Sequence, residues 1–388
     1  MNNRRRFRIN LTDIAAVAMS IAFPLASLPI AAVKLINREI SGAYILLFFL
    51  LLSSYLWPPF GDLFRLRQSF YGQVDLKDGA QLDFIYTYFE FLVKYLGLDF
   101  YIIRLLSTLL IYSALLKSFF FVTRNKILYL RFFIFVVLIL PYIFHFGFWT
   151  GSRFNISFAL LVFSILEYHK KNILYIILIY LIIASFIHFA YFPVFFLYIV
   201  ISKFVFFRKY LSLIFFAVAV LVIDKLSLAL MFLDFVQLGS TEKSYLEYYL
   251  TGYYSGGALE KHSPIYVFHR LLKITFVTLV MLLPFFFKKK QVPLYFYAFF
   301  YICWATYGLE SAFIRYAFAA NFLFLFYYCL HAESIKWHSL FVFAQGTVLA
   351  SLNLKAIATV FFVGHQWAII LPFPVQSTLF ESIFCADT

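Results

Sequence analysis

The apolar positions of this chain come in long runs, such as "AYILLFFLLLSSYLW" at 43 to 57 and "ILYIILIYLIIASFIHFAYFPVFFLYIVIS" at 173 to 202, separated by short polar or charged loops. Runs of that length predict helices that cross a bilayer, because only helices and closed barrels satisfy their backbone inside hydrocarbon. The expected fold is all-α, a polytopic integral membrane protein with about 11 to 13 membrane segments in a single domain spanning residues 1–388.

Two places depart from a plain span. Residues 82 to 97, "LDFIYTYFEFLVKYLG", are amphipathic and carry Glu90 and Lys94, which predicts an interfacial or re-entrant helix. Residues 172 to 202 lie between two basic clusters and must cross an even number of times. Each half holds about 15 residues, roughly 22 Å of helix against a hydrocarbon core of about 30 Å. The spacing therefore predicts short or broken helices turning near "SFIHFAYFP", with His188 at the turn. Near the N-terminus the two prolines of "AFPLASLP" are placed to break a first segment over 14 to 33.

Composition agrees with the pattern: 64% of the 388 residues are hydrophobic and 13% charged. The net charge of +14 sits largely in "RNKILYLR", "HKK", "KFVFFRK", "KKK" and "ESIKWH". Cytoplasmic loops of membrane proteins are rich in Lys and Arg, so this charge orients the chain and does not point to nucleic acid. The segments near 61–100, 148–153, 227–263 and 308–312 are then outside. Six carboxylates from Asp62 to Asp99, five from Asp224 to Glu260, and Glu310 fall in or beside them, twelve of the eighteen in the chain. The basic start "MNNRRRFR" leads an apolar run too long for a signal sequence and reads as an uncleaved first segment. Cys303, Cys329 and Cys385 have neither a disulfide framework nor metal-ligand spacing.

Four arginines lie at the outer ends of apolar segments: Arg104 in "FYIIRLLSTLL", Arg153 in "GSRFNIS", Arg270 in "VFHRLLKITF" and Arg315 in "SAFIRYAFAANF". Taken singly, each can snorkel to headgroups. Taken together on one face they suggest a site for an anionic ligand carried by the membrane, since the planar guanidinium fork matches phosphate oxygens. Arg153 and Arg315 stand beside turns that let their side chains face inward. His188, in a wholly apolar neighbourhood, is either a structural histidine or a group that moves a proton. Asp75, Asp78, Asp83 and Glu90 are candidate bases or acceptor-sugar ligands, or solvated charges, and the tyrosines of "STEKSYLEYYLTGYYSGGALEKHSP" offer rings for stacking on sugars. Walker, HExxH, GxSxG and dinucleotide fingerprints are missing, which disfavours ATP hydrolysis and serine-hydrolase chemistry.

The succession "LDFIYTYFEFLVKYLGLDFYIIRLLSTLL", then "GSRFNISFALLVFSILEYHKKNILYIILIYLIIASFIHFAYFPVFFLYIV", then "SAFIRYAFAANFLFLFYYC" resembles the EpsG family of bacterial polysaccharide polymerases, relatives in role of the Wzy O-antigen polymerases. The likeness spans roughly residues 60 to 335, and Arg153, Lys170, Lys171 and His188 match its most specific places. It implies a lipid-dependent glycosyltransferase of the inner membrane, active on the periplasmic side. Such an enzyme joins repeat units carried on undecaprenyl pyrophosphate, with a chain-length regulator as a possible partner.

On this expectation Arg153 and Arg315 stabilise the leaving pyrophosphate, Arg104 and Arg270 anchor the headgroup, and His188 or Glu90 takes the acceptor proton. Asp75, Asp78 and Asp83 contribute to the acceptor side. Arginine can stand in for a metal at a pyrophosphate, so neither cofactor nor obligatory divalent ion is expected. A flippase for lipid-linked glycan and an O-antigen ligase are the alternatives.

Overall fold

The computed structural model describes residues 11–22, 26–56, 67, 70–72, 84–143, 153–171, 173–203, 293–306, 310–334 and 336–363. Among these residues all regular structure is helical, and no strand occurs. The helices group into two units, one formed within 1–64, 99–152 and 333–388, the other within 65–98 and 153–332.

The first unit begins with α1 (Leu11–Ala22) and α2 (Ser27–Ile36), with α3 (Ile40–Leu56) following a tight turn; Pro29 lies in the first turn of α2, and Pro24 lies outside the described residues. Gly42 lets α3 close onto α2: a Cβ there would come within 2.7 Å of the Leu35 amide nitrogen and 2.9 Å of the Ala31 carbonyl. Arg38, in the turn, has a φ of 63°, a left-handed conformation that is costly for any residue with a Cβ. Its guanidinium donates to the carbonyls of Phe120, Thr123 and Arg124, at the C-terminal end of α5 (Phe100–Val122). The arginine acts as a side-chain cap there, beside the turn bond from the Lys126 amide to the Thr123 carbonyl, and its charge-assisted bonds offset the strained backbone.

Among the described residues, α5 is the one helix long and apolar enough to cross a membrane. Asp99 caps it by accepting from the Tyr101 amide. Next, α6 (Leu128–Leu138) is interrupted before α7 (Leu140–Ile143), where Pro141 lacks the N–H that would continue the ladder. Carbonyls at the end of α7 accept from side chains: Asn353 Nδ2 donates to the Pro141 carbonyl at 2.7 Å, and Tyr112 Oη lies 3.0 and 3.2 Å from the carbonyls of Tyr142 and Ile143. Asn353 belongs to α13 (Trp337–Val363), whose Gly346 passes so close to α6 that a Cβ would lie 2.8 Å from the Val136 carbonyl.

The second unit holds α4 (Phe84–Tyr95), α8 (Arg153–Lys171), α9 (Leu174–Ile187), α10 (Phe192–Lys203), α11 (Leu294–Ala305) and α12 (Glu310–His331). The pair α8 and α9 pack along their length, and Ser157 Oγ donates to the Ala184 carbonyl across them at 2.9 Å. Phe158 meets Phe322 edge-on at 5.3 Å, tying α8 to α12, and Phe296 meets Phe324 at 4.4 Å, tying α11 to α12. Helix α4 is amphipathic as expected, with Tyr86 and Val93 buried and Phe84, Tyr88, Phe91 and Tyr95 forming an exposed aromatic stripe.

Between α9 and α10 the chain breaks at His188, whose backbone is extended, and passes through a single 3-10 turn, Phe189–Tyr191. The two flanking helices have 14 and 12 residues, about 21 and 18 Å, each shorter than a hydrocarbon core of about 30 Å. Pro193 falls in the first turn of α10, where a missing N–H costs nothing.

Candidate functional site

In the second unit the start of α8, the break after α9 and the first turns of α12 meet at one ring, that of Phe154. Phe154 is the second residue of α8 and only 5% exposed. The His188 imidazole stands against it at 5.9 Å and 88°, Tyr191 at 5.1 Å, and Tyr316 at 6.2 Å and 76°. Chain neighbours of two of these rings are the arginines singled out in sequence: Arg153 precedes Phe154, and Arg315 precedes Tyr316. Three segments separated by more than 30 residues in the chain thus bring Arg153, His188 and Arg315 to the surroundings of one aromatic side chain.

Arg153 opens its helix, and its guanidinium lies over the Tyr86 ring of α4, 5.5 Å from the centroid. A cation held on an aromatic face is attracted by the negative face of the ring, which orients it. Glu90 follows Tyr86 by one helical turn and so shares its face of α4. Glu90 Oε1 is shielded from solvent although the residue as a whole is half-buried. Arg315 and His188 are also half-buried.

The break that carries His188 is pinned from α12. Tyr316 Oη donates to the carbonyl of Ala190, two residues after the histidine. Tyr191, in the same turn, is fully buried, and its hydroxyl has no hydrogen-bond partner among the described residues.

At the other end of α8 the chemistry differs. Glu167, past the apolar stretch, pairs with Lys170 at 2.8 Å and Lys171 at 3.3 Å. The hydrogen bond from Lys170, with help from Lys171, holds its carboxyl below the usual carboxylate range against the opposing effect of burial. His169 Nε2 lies 3.2 Å from Tyr295 Oη.

Arg104 belongs to the first unit and is 1% exposed. Its Nη2 donates to the Ser54 carbonyl, and its guanidinium lies over the Tyr101 ring at 5.5 Å. A side chain so enclosed is part of the packing between α3 and α5. Arg270, Asp75, Asp78, Asp83 and the segment 227–263 lie outside the described residues. No group of His, Cys, Asp and Glu fit to hold a metal ion occurs among the described residues.

Sequence reasoning missed Phe154, Tyr316 and Tyr86. The first two directly follow the arginines it chose, in "SRF" and "IRY", so the signal was an aromatic beside each basic residue. Nothing in the sequence near Tyr86 marks it as the seat of Arg153.

Comparison with protein-family models, with curated proteins and with solved structures finds no match to this chain.

Proposed function

We propose that the chain is a polytopic glycosyltransferase of the bacterial inner membrane, a polysaccharide polymerase that joins repeat units carried on undecaprenyl pyrophosphate at the periplasmic face. Support for a membrane setting comes from the composition, from α5, and from the many shorter apolar helices with outward-facing rings. The observation that carries the function is the assembly around Phe154: a cation over Tyr86, a second arginine beside Tyr316, and an imidazole at a helix break, in one unit.

In the reaction a hydroxyl of the acceptor glycan attacks the anomeric carbon of the donor chain. The new glycosidic C–O bond forms as the C–O bond to the pyrophosphate breaks, and undecaprenyl pyrophosphate leaves. Negative charge grows on that leaving group, and Arg153 with Arg315 stabilises it, acting more strongly in a water-poor site than in bulk water. The acceptor proton passes to His188 or to Glu90. Arg270, Asp75, Asp78 and Asp83 retain the substrate-binding roles that the sequence suggests, and no metal enters the scheme.

The test is genetic. Arg153→Ala and Arg315→Ala should abolish long glycan chains while the protein remains in the membrane, and normal chain-length ladders in both variants would overturn the reading. Short helices meeting at a break also suit a transporter. Deletion separates the two: loss of a polymerase leaves single repeat units exposed on the outer face, whereas loss of a flippase strands them on the cytoplasmic face.

A further inference from the structure

We infer that Tyr316 is a positioning residue for His188, acting through the turn that follows the histidine. The backbone at His188 is extended, α9 ends before it, and a single 3-10 turn separates it from α10. Such a turn is weakly held by its own hydrogen bonds. Tyr316, from α12, supplies an outside hold: its hydroxyl donates to the Ala190 carbonyl in the middle of the turn, while its ring packs edge-on against Phe154. Phe154 also packs against the imidazole, the two rings near perpendicular. The histidine is therefore set between a ring it touches and a turn that the neighbouring tyrosine fixes, and both are anchored by α12.

The same residue links the histidine to Arg315, its predecessor in α12. A shift of α12 moves the arginine and the turn together, which keeps the charge that stabilises the leaving group in register with the group that takes the proton. The catalytic meaning of this coupling rests on the proposed glycosyl transfer. The positioning itself does not.

Tyr191 provides the matched control, because it is a tyrosine of the same cluster whose hydroxyl has no hydrogen-bond partner among the described residues. Removing that hydroxyl takes away no observed bond.

The experiment uses the full chain purified in detergent and diethyl pyrocarbonate as the probe, with carbethoxylation of His188 and His169 followed separately by peptide mass spectrometry. Tyr316→Phe should change the labelling rate of His188 by about fivefold, the weight of one hydrogen bond, and leave His169 as it was. Tyr191→Phe should leave both rates unchanged. Turnover of lipid-linked donor, normalised to the amount of folded protein, should fall in Tyr316→Phe at unchanged KM, and the unchanged labelling of His169 separates this from a general loss of fold. An unaltered His188 rate in Tyr316→Phe, or equal changes in the two tyrosine variants, overturns the inference.

The His188→Ala strain then separates the two levels. Normal glycan ladders there, with altered labelling in Tyr316→Phe, sink the proposed role of the histidine and leave the positioning standing. Lost ladders with unaltered labelling do the reverse.

Discussion

Arg104 and Arg153 look alike in the sequence, each a lone guanidinium near the outer end of an apolar run, and the structure gives them different surroundings. Arg104 is enclosed in the first unit, donating to the backbone of Ser54 and lying over Tyr101. Arg153 begins a helix in the second unit, over Tyr86 and next to the ring that holds His188. Both use an aromatic face. The difference lies in what completes the environment: for Arg104 a carbonyl of a neighbouring helix, for Arg153 a helix start whose next residue, Phe154, packs against His188 and Tyr316. A basic residue in an apolar segment thus reports a polar need at that place, and only its partners tell whether the need is the protein's own or a ligand's.

The largest effect should follow Arg104→Ala. It empties a fully buried volume and leaves the Ser54 carbonyl without its donor, changes that together cost about 3 kcal/mol or more. Thermal melting in detergent should show a marked loss of stability, with little folded protein recovered. Arg153→Ala, at a half-buried helix start, should melt close to the unaltered chain. If the two alanine variants lose stability equally, the contrast drawn between them fails.

Substituting lysine sharpens the same contrast at smaller cost. Arg153→Lys keeps the charge and loses the planar fork, so long glycan chains should be rescued poorly although melting is unchanged. At Arg104 lysine can still reach toward a carbonyl, and stability should recover in part. Full chain-length ladders in Arg153→Lys would mean that a point charge suffices there, and the bidentate grip on a diphosphate would have to be abandoned.

Much of the helical plan was legible because length and charge constrain it. The break at His188 followed from the parity of basic loops and from a run too short for two full crossings. Glu90 and the amphipathic α4 were visible from the spacing of polar residues. What could not be read was which distant helices meet. Packing among apolar helices depends on ring shapes and on small residues such as Gly42 and Gly346, and these produce no periodic signal. The keystone position of Phe154 is therefore invisible among 55 phenylalanines, and the placement of Arg104 in a different unit from Arg153 is equally so.

The smallest effect is expected at Glu167, whose exposed pairs with Lys170 and Lys171 form a third environment for charge, unlike that of either arginine. Exposed pairs contribute about 0 to 1 kcal/mol, since solvent screens them. The carboxyl is held below its usual range by the hydrogen bond from Lys170, so the folded chain keeps it ionised to lower pH than the unfolded chain does. Its stabilising effect is therefore present above the unfolded carboxylate pKa of about 4.3 and disappears as pH falls through the lower folded value. Glu167→Gln should accordingly melt slightly below the unaltered chain at pH 7, and the gap should close as the solution is acidified through the carboxylate range. A gap that stayed constant with pH would show that the side chain acts through packing, and the ladder of environments would then have two charged steps and not three.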